Sequence, residues 1–267
     1  MAVHAHPDDE AIGTGGILAK YADEGVRTVL VTCTNGELGD APGGIKPGED
    51  GHDEEVVVAL RRKELEASCA ALGVATLELL GYHDSGMQGW PQNELPNAFW
   101  HTPVDEAASR LAELMRTYEP DVVVTYNDYG FYGHPDHIQA HRVTVAALKN
   151  WGAPVKLYYT ALARSRLKGF REMLRAEGIE SGPPEEVEQD PNFGTPDELI
   201  TTVVDCSSVA ERKFASLEAH ASQSDNIFFL QMGVEMFSRI MSAESFVRVL
   251  DSSGAPVPEA DLFAGLR

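Results

Sequence analysis

Two short stretches hold the side chains best able to do chemistry: His6-Pro7-Asp8-Asp9-Glu10 near the start and Tyr132-Gly133-His134-Pro135-Asp136-His137 midway. Each sets imidazoles and carboxylates within four residues of one another. Two histidines and a carboxylate, with further acid–base groups beside them, form the donor set of a catalytic zinc site. The chemistry that follows is metal-assisted hydrolysis. A sharp turn helped by Pro7 lets His6 and Asp9 converge on one point. Pro135 suits the first turn of a helix, and His134 and His137, three apart, share a helix face. One of that pair can ligate while the other faces the reacting group. Asp8, Asp9 and Glu10 could instead merely cap a helix and complement its dipole. Two such clusters, each behind a strand, argue against that plainer reading. His4 shares a strand face with His6 and belongs behind the site or in the core. His141 reads as a helix-face residue, and His52, His83 and His101 as loop residues without chemistry.

The elements that must position these groups alternate. Apolar runs predict strands over 2–5, 27–34, 76–80, 121–126 and 155–160, and helical spacing predicts helices over 11–24, 54–72, 104–118 and 138–151. Such alternation implies βαβ crossovers and a parallel sheet. Ligands of such sheets bind beyond the carboxyl ends of the strands, at the switch point, and both clusters fall there. Long loops at 35–52 and 81–102 leave the same edge, and loops that long are usually functional or mobile. Past residue 161 the pattern loosens: a helix over 165–178, an exposed acidic insertion over 181–197, a strand over 200–205, helices over 209–221 and 227–241, and an edge strand over 245–250. The expected fold is α/β: a Rossmann-like, mostly parallel sheet flanked by helices, with a smaller C-terminal α/β extension. Residues 1–160 form the catalytic core and 161–267 an extension packed on the same single domain.

Composition narrows the field. The 267 residues carry a net charge of −21, with a pI of about 4.7. Such a surface repels nucleic acid and anionic membranes, so neither is an expected partner. Cys33, Cys69 and Cys206, odd in number and widely spaced, argue against a disulfide framework and a cysteine metal knuckle. Cys33 lies in an apolar run and reads as core. No apolar stretch approaches the ~20 residues of a membrane span. Histidines and aspartates stand where a signal peptide would, and the expected setting is the cytoplasm. The first strand offers only about four residues before His6, so either it is short or the native N-terminus lies upstream of Met1. No Gly-x-Ser-x-Gly elbow supports a serine hydrolase. Gly13-Thr14-Gly15-Gly16 has Leu18 where a dinucleotide fingerprint needs its third glycine, and no acidic residue ends the second strand. Tight helix–sheet packing explains those glycines better. Asp84-Ser85-Gly86 lacks the partners of a nucleophile.

The Ala5–Glu10 and Tyr132–His137 motifs resemble the PIG-L/LmbE family of zinc-dependent N-deacetylases. So do Thr32-Cys33-Thr34, Gly36-Glu37, Arg61 with Glu64-Leu65, Asp84-Ser85-Gly86-Met87 and Ala219-His220. That family removes acetyl from N-acetylglucosaminyl groups. The likeness covers most of the chain and is greatest to the actinobacterial branch acting on mycothiol precursors and conjugates. It implies His6, Asp9 and His137 as zinc ligands, a set that Fe²⁺ or Co²⁺ also suits. It implies Asp8 as general base, His134 as acid or electrostatic partner held by Asp136, and Tyr132 near the oxyanion. It further implies Arg61, Asp84 and Asp40 as substrate-binding side chains and Met87 in the pocket lining. His220 matches a C-terminal histidine of the branch and is counted with the substrate-binding group. The reaction implied is hydrolytic removal of the N-acetyl group from a small GlcNAc-inositol-like glycoconjugate. A homo-oligomer is compatible with the sequence. Conjugate amidases carry a lysine near Gly13 and this chain does not, so that activity stands second, with natural-product N-deacylation. A non-catalytic sugar-binding module comes last, because a pure binder needs no Asp8, His134 and Asp136 beside its ligands.

Overall fold

The computed structural model describes residues 1–176 and 193–267. Its sheet begins with parallel strands β1 (Ala2–His4), β2 (Val29–Thr34), β3 (Thr76–Tyr82), β4 (Val122–Thr125) and β5 (Lys156–Ala161), in the order β3-β2-β1-β4-β5. The helices are α1 (Asp9–Gly13), α2 (Gly15–Asp23), α3 (Glu54–Leu72), α4 (Val104–Tyr118), the distorted turn α5 (Gly130–Gly133), α6 (Pro135–Trp151), α7 (Arg164–Ala176), α8 (Ala210–Ala219), α9 (Ile227–Gln231) and α10 (Gly233–Ile240).

Strands β2 and β4 are rich in β-branched residues and buried throughout, as strands covered on both faces must be. Val3, Val31, Val123 and Leu157 face one helix layer and pack with Leu111 and Met115 of α4 and Val143 and Ala147 of α6. Ala2, Leu30, Val124 and Tyr158 face the other, with Ile17 and Leu18 of α2 and Leu65 and Leu72 of α3. Strand order reverses between β1 and β4. His6–Asp9 leave the carboxyl end of β1, and Tyr126–His137 that of β4. Both clusters therefore stand over the crevice where such sheets bind ligands.

Strands β6 (Thr202–Asp205) and β7 (Ala243–Leu250) extend the sheet past β5, with β7 antiparallel to both its neighbours. The strand expected at the edge over 245–250 is thus interior, and β6 is the edge. The apolar side chains of β7 find partners on β5, while β6 alternates buried and exposed residues as an edge strand can.

The single helix expected over 11–24 is two. Thr14 takes φ −144° and breaks it. Helix α2 has no capping side chain of its own; Glu244 of β7 accepts from the N–H groups of Gly16 at 2.7 Å and Ile17 at 2.9 Å, and Lys213 pairs with it at 2.6 Å. A Cβ on Gly16 would come within 2.7 Å of Cys206, so close packing is what this glycine serves. The helix expected over 227–241 is likewise broken, at Gly233 with φ +73°. The insertion expected over 181–197 and the end of the helix expected over 165–178 lie, from 177 to 192, outside the described residues. Among the described residues no helix is long and apolar enough to cross a membrane.

Candidate metal centre

After β1 the chain turns through Pro7 and Asp8. Asp8 takes φ 117° and ψ −26°, a region that a residue with a side chain occupies only when its surroundings hold it there. Its N–H donates to Glu10 Oε2 at 3.0 Å, and its carboxylate accepts from Arg61 Nη2 at 2.9 Å. The same guanidinium donates to Pro7 O and to Gly36 O. The turn brings Asp9 back over the strand end, where its Oδ2 accepts from the His6 N–H at 2.8 Å and the Tyr126 hydroxyl at 2.7 Å.

Two imidazoles bracket Asp9. His6 Nδ1 lies 3.4 Å from its Oδ2, and His137 Nε2 lies 3.3 Å from its Oδ1. The other nitrogen of each ring is engaged: His6 Nε2 faces Asp136 Oδ2 at 3.1 Å, and His137 Nδ1 donates to Gly130 O at 3.2 Å. With its proton on Nδ1, His137 keeps a lone pair on Nε2, and that buried atom has no hydrogen-bond partner. A cation beside Asp9 accounts for such an orphan. Burial opposes charge on His6, yet Asp84, Asp136 and Asp9 outweigh it and hold its pKa well above the ordinary value. Three carboxylates thus favour a positive charge at His6. His6, Asp9 and His137 thus come together as a donor set that fits a divalent metal. Nitrogens of His6, His134 and His137 also lie within 4.8 Å of one another, so His134 stands at the same point.

The expected link between Asp136 and His134 is corrected. His134 caps α6, its Nδ1 accepting from the Asp136 N–H at 3.1 Å, which leaves its proton on Nε2. Burial, then His6 and His137, hold its pKa well below the usual range. The imidazole stays within 4.8 Å of the Asp136 carboxylate, but capping spends its Nδ1 on the backbone. That carboxylate accepts from the Ser85 hydroxyl and N–H and faces His6 instead. Asp136 therefore faces His6, and burial disfavours charge on His134.

Asp84 is buried nearby, with Oδ1 3.6 Å from His6 Nε2; its N–H donates to Glu37 at 3.0 Å. Tyr132 and Met87 are each 41% exposed, and the Tyr132 ring centre lies 5.0 Å from that of His137. The other expected substrate contacts are engaged within the protein. Arg61 is buried on Gly36, Pro7 and Asp8. Asp40 accepts from Lys46 at 2.8 Å and from the Ser224 N–H at 3.0 Å. His220 has no exposed surface and pairs with Glu10 at 2.7 Å, so direct substrate contact by His220 is corrected to a contact with Glu10.

Two residues of consequence escaped the sequence reading. Glu10, read there only as a helix cap, is wholly buried. Tyr126, read only as the end of a strand, is a node of the centre. Its hydroxyl accepts from the Ala5 N–H at 2.9 Å, lies 3.2 Å from His4 Nδ1 and donates to Asp9; its ring stacks on His137 with centres 4.2 Å apart. Its place at the carboxyl end of a central strand was the available signal. Tyr126→Phe keeps the stacking and removes one hydrogen bond from Asp9. Metal affinity is expected to fall by about 10–100-fold, read by competition with a chromophoric chelator. Unchanged affinity would remove Tyr126 from the centre.

A His–Asp–His group that could hold a metal, at the switch point of a Rossmann-like sheet and with a spare carboxylate beside it, is the arrangement a metal-dependent hydrolase requires. Residues 1–148 match the model of the PIG-L family, GlcNAc-PI de-N-acetylase, and the chain belongs to that family of metalloenzymes. It is accordingly a hydrolase of N-acetyl amides. The 1D-myo-inositol 2-acetamido-2-deoxy-alpha-D-glucopyranoside deacetylase of Salinispora arenicola is 42% identical over 284 residues, covering 100% of this chain and 91% of that protein. Among solved structures, the N,N'-diacetylchitobiose deacetylase of Pyrococcus horikoshii is similar with a TM-score of 0.60 at 22% identity, over 93% of this chain and 82% of that one. A 4-carboxy-2-hydroxymuconate hydratase of Pseudomonas putida also gives 0.60, at 20% identity over 96% of this chain and 97% of that one. One fold thus carries two chemistries, so the side chains must distinguish them.

Proposed function

We propose that this chain removes the N-acetyl group from the glucosamine unit of a small N-acetylglucosaminyl-inositol conjugate, with zinc held by His6, Asp9 and His137. The observation that carries the proposal is the orphaned Nε2 of buried His137 facing Asp9 beside His6. The full-length likeness to the Salinispora enzyme supports the substrate. Bound there, zinc would polarise the acetyl carbonyl and lower the pKa of water.

The chain's own groups do the rest. Asp8 takes a proton from the attacking water. Burial pushes its carboxyl up to about 6, against the pull of Arg61, which suits a base that must later give the proton up. His134, neutral with its proton on Nε2, donates to the developing oxyanion, and Tyr132 donates from the mouth. One such donor is typically worth roughly 3–4 kcal/mol. A neutral His134 that keeps its proton leaves Asp8 to protonate the departing amine. Asp84 takes a sugar hydroxyl, and exposed Met87 lines the entrance. The common sheet supports residues 1–160 and 161–267 as one domain. Free, buried Cys33, Cys69 and Cys206 support a reducing, cytoplasmic setting.

The test is amine release by zinc-loaded protein from the N-acetylglucosaminyl inositol, free N-acetylglucosamine, N,N'-diacetylchitobiose and a mycothiol conjugate, each with and without chelator. Release is expected to be fastest from the inositol glycoside and to stop with chelator. Preference for another member would replace the acceptor, and no release from any would sink the deacetylase reading.

A further inference from the structure

We propose that the buried Glu10–His220 pair is a positioning device: it holds Asp8 in its strained conformation, and turnover depends on it. The inference rests on Asp8 acting as the base.

Neither member of the pair reaches solvent; both are 0% exposed. Neither, then, meets substrate as placed. Glu10 Oε2 accepts from the Asp8 N–H at 3.0 Å. Its Oε1 accepts from the Ser68 hydroxyl of α3 and pairs with His220 Nε2 at 2.7 Å, immediately past α8. Ser68 Oγ in turn lies 2.8 Å from Ser216 Oγ of α8. Both oxygens of Glu10 are therefore engaged, and one of them is engaged by the backbone of the base. A buried ion pair is weak evidence for stability, since apolar residues of equal volume often do as well. Its geometry here points to a second use.

Asp8 sits at φ 117°, where glycine would be at ease but would bring no carboxylate. Strain of this kind persists only where the surroundings over-determine it. Arg61 clamps the Asp8 side chain and Glu10 its N–H, beside the first-turn bond of the Ala11 N–H to Asp8 O at 3.0 Å. Without the second clamp the backbone can relax to negative φ, carrying the carboxylate away from Arg61 and from its place beside Asp9. Asp9 itself is fixed by other donors, the His6 N–H and the Tyr126 hydroxyl. The pair should therefore govern turnover without governing the metal. His220 lies beyond residues 1–148, the span matched by the family model. The C-terminal extension thus contributes to the catalytic turn.

The test compares zinc-loaded, full-length Glu10→Ala and Glu10→Gln, His220→Leu and His220→Gln, and Asp8→Asn. The readouts are kcat, KM and zinc affinity by chelator competition. Glu10→Ala and His220→Leu are expected to lose at least about tenfold in kcat, with KM and zinc affinity within about twofold of wild type. The glutamine variants keep an acceptor for the Asp8 N–H or a donor to Glu10, and should recover kcat to within about threefold. Wild-type kcat in folded Glu10→Ala and His220→Leu would overturn the proposal. So would a kcat loss matched by zinc loss, or glutamine variants as impaired as alanine and leucine. Should Glu10→Ala not fold, the two His220 variants carry the test. Wild-type turnover by Asp8→Asn would sink the base reading itself. An inactive Asp8→Asn beside a fully active Glu10→Ala would sink only the clamp.

Discussion

Asp8→Asn lowers kcat by about 10²–10⁴-fold while leaving the metal in place. The substitution keeps the shape of the side chain and an oxygen for Arg61, so the turn has no reason to open. Only the capacity to take a proton is lost. Asp9, His6 and His137 keep their contacts, and metal per chain stays at the wild-type value. The pH dependence carries a sign. Burial raises the Asp8 carboxyl to about 6, with Arg61 opposing. A base works ionised, so kcat/KM rises as pH climbs through this pKa. A bound cation pulls the value down, which puts the acid limb at or below about pH 6. The asparagine variant should lack that limb in what activity remains. A wild-type rate would remove Asp8 from the chemistry.

His137→Ala is the second large effect. It deletes the orphaned Nε2 and leaves two of the three proposed donors. Removing a group that merely supports a ligand costs about 10–100-fold in affinity, so deleting a ligand is expected to cost more than about 100-fold. Calorimetric titration with zinc and metal counts per chain check this. Activity should follow occupancy and recover partly at high zinc. Metal adds stability by binding only the folded chain, so the rise in Tm that zinc gives the wild type should shrink in the variant. Full stoichiometry with full activity would end the ligand assignment.

What could be read from the sequence was local. The β-branched run at 27–34 announces a strand, and Val122-Val123-Val124 one buried on both faces. The helix expected over 54–72 is found over those residues, with Asp53 capping its start and Gly73 at φ +71° ending it. His6 with Asp9, and His134 with His137, are legible because each pair is three residues apart. What escaped depends on pairs far apart in the chain. Tyr126 meets Asp9 across 117 positions, and His220 meets Glu10 across 210. No spacing rule reaches that far. The partner of Asp136 escaped for another reason. It depends on which way the His134 ring turns at the cap of a helix, and composition does not record that. The break at Thr14 was hidden because the cap of the following helix comes from Glu244, 228 positions beyond Gly16.

That distant cap has a consequence for biosynthesis. A chain emerging from the ribosome presents His6, Asp9 and His137, the proposed metal donors, by residue 137, yet α2 has no cap until Glu244 has left the exit tunnel. Contacts of such long range form slowly and late, and nascent domains pass through partly ordered states on the way. A chain cut short of Glu244 would therefore still carry His6, Asp9 and His137, but with α2 uncapped and the buried Lys213 ammonium deprived of its carboxylate.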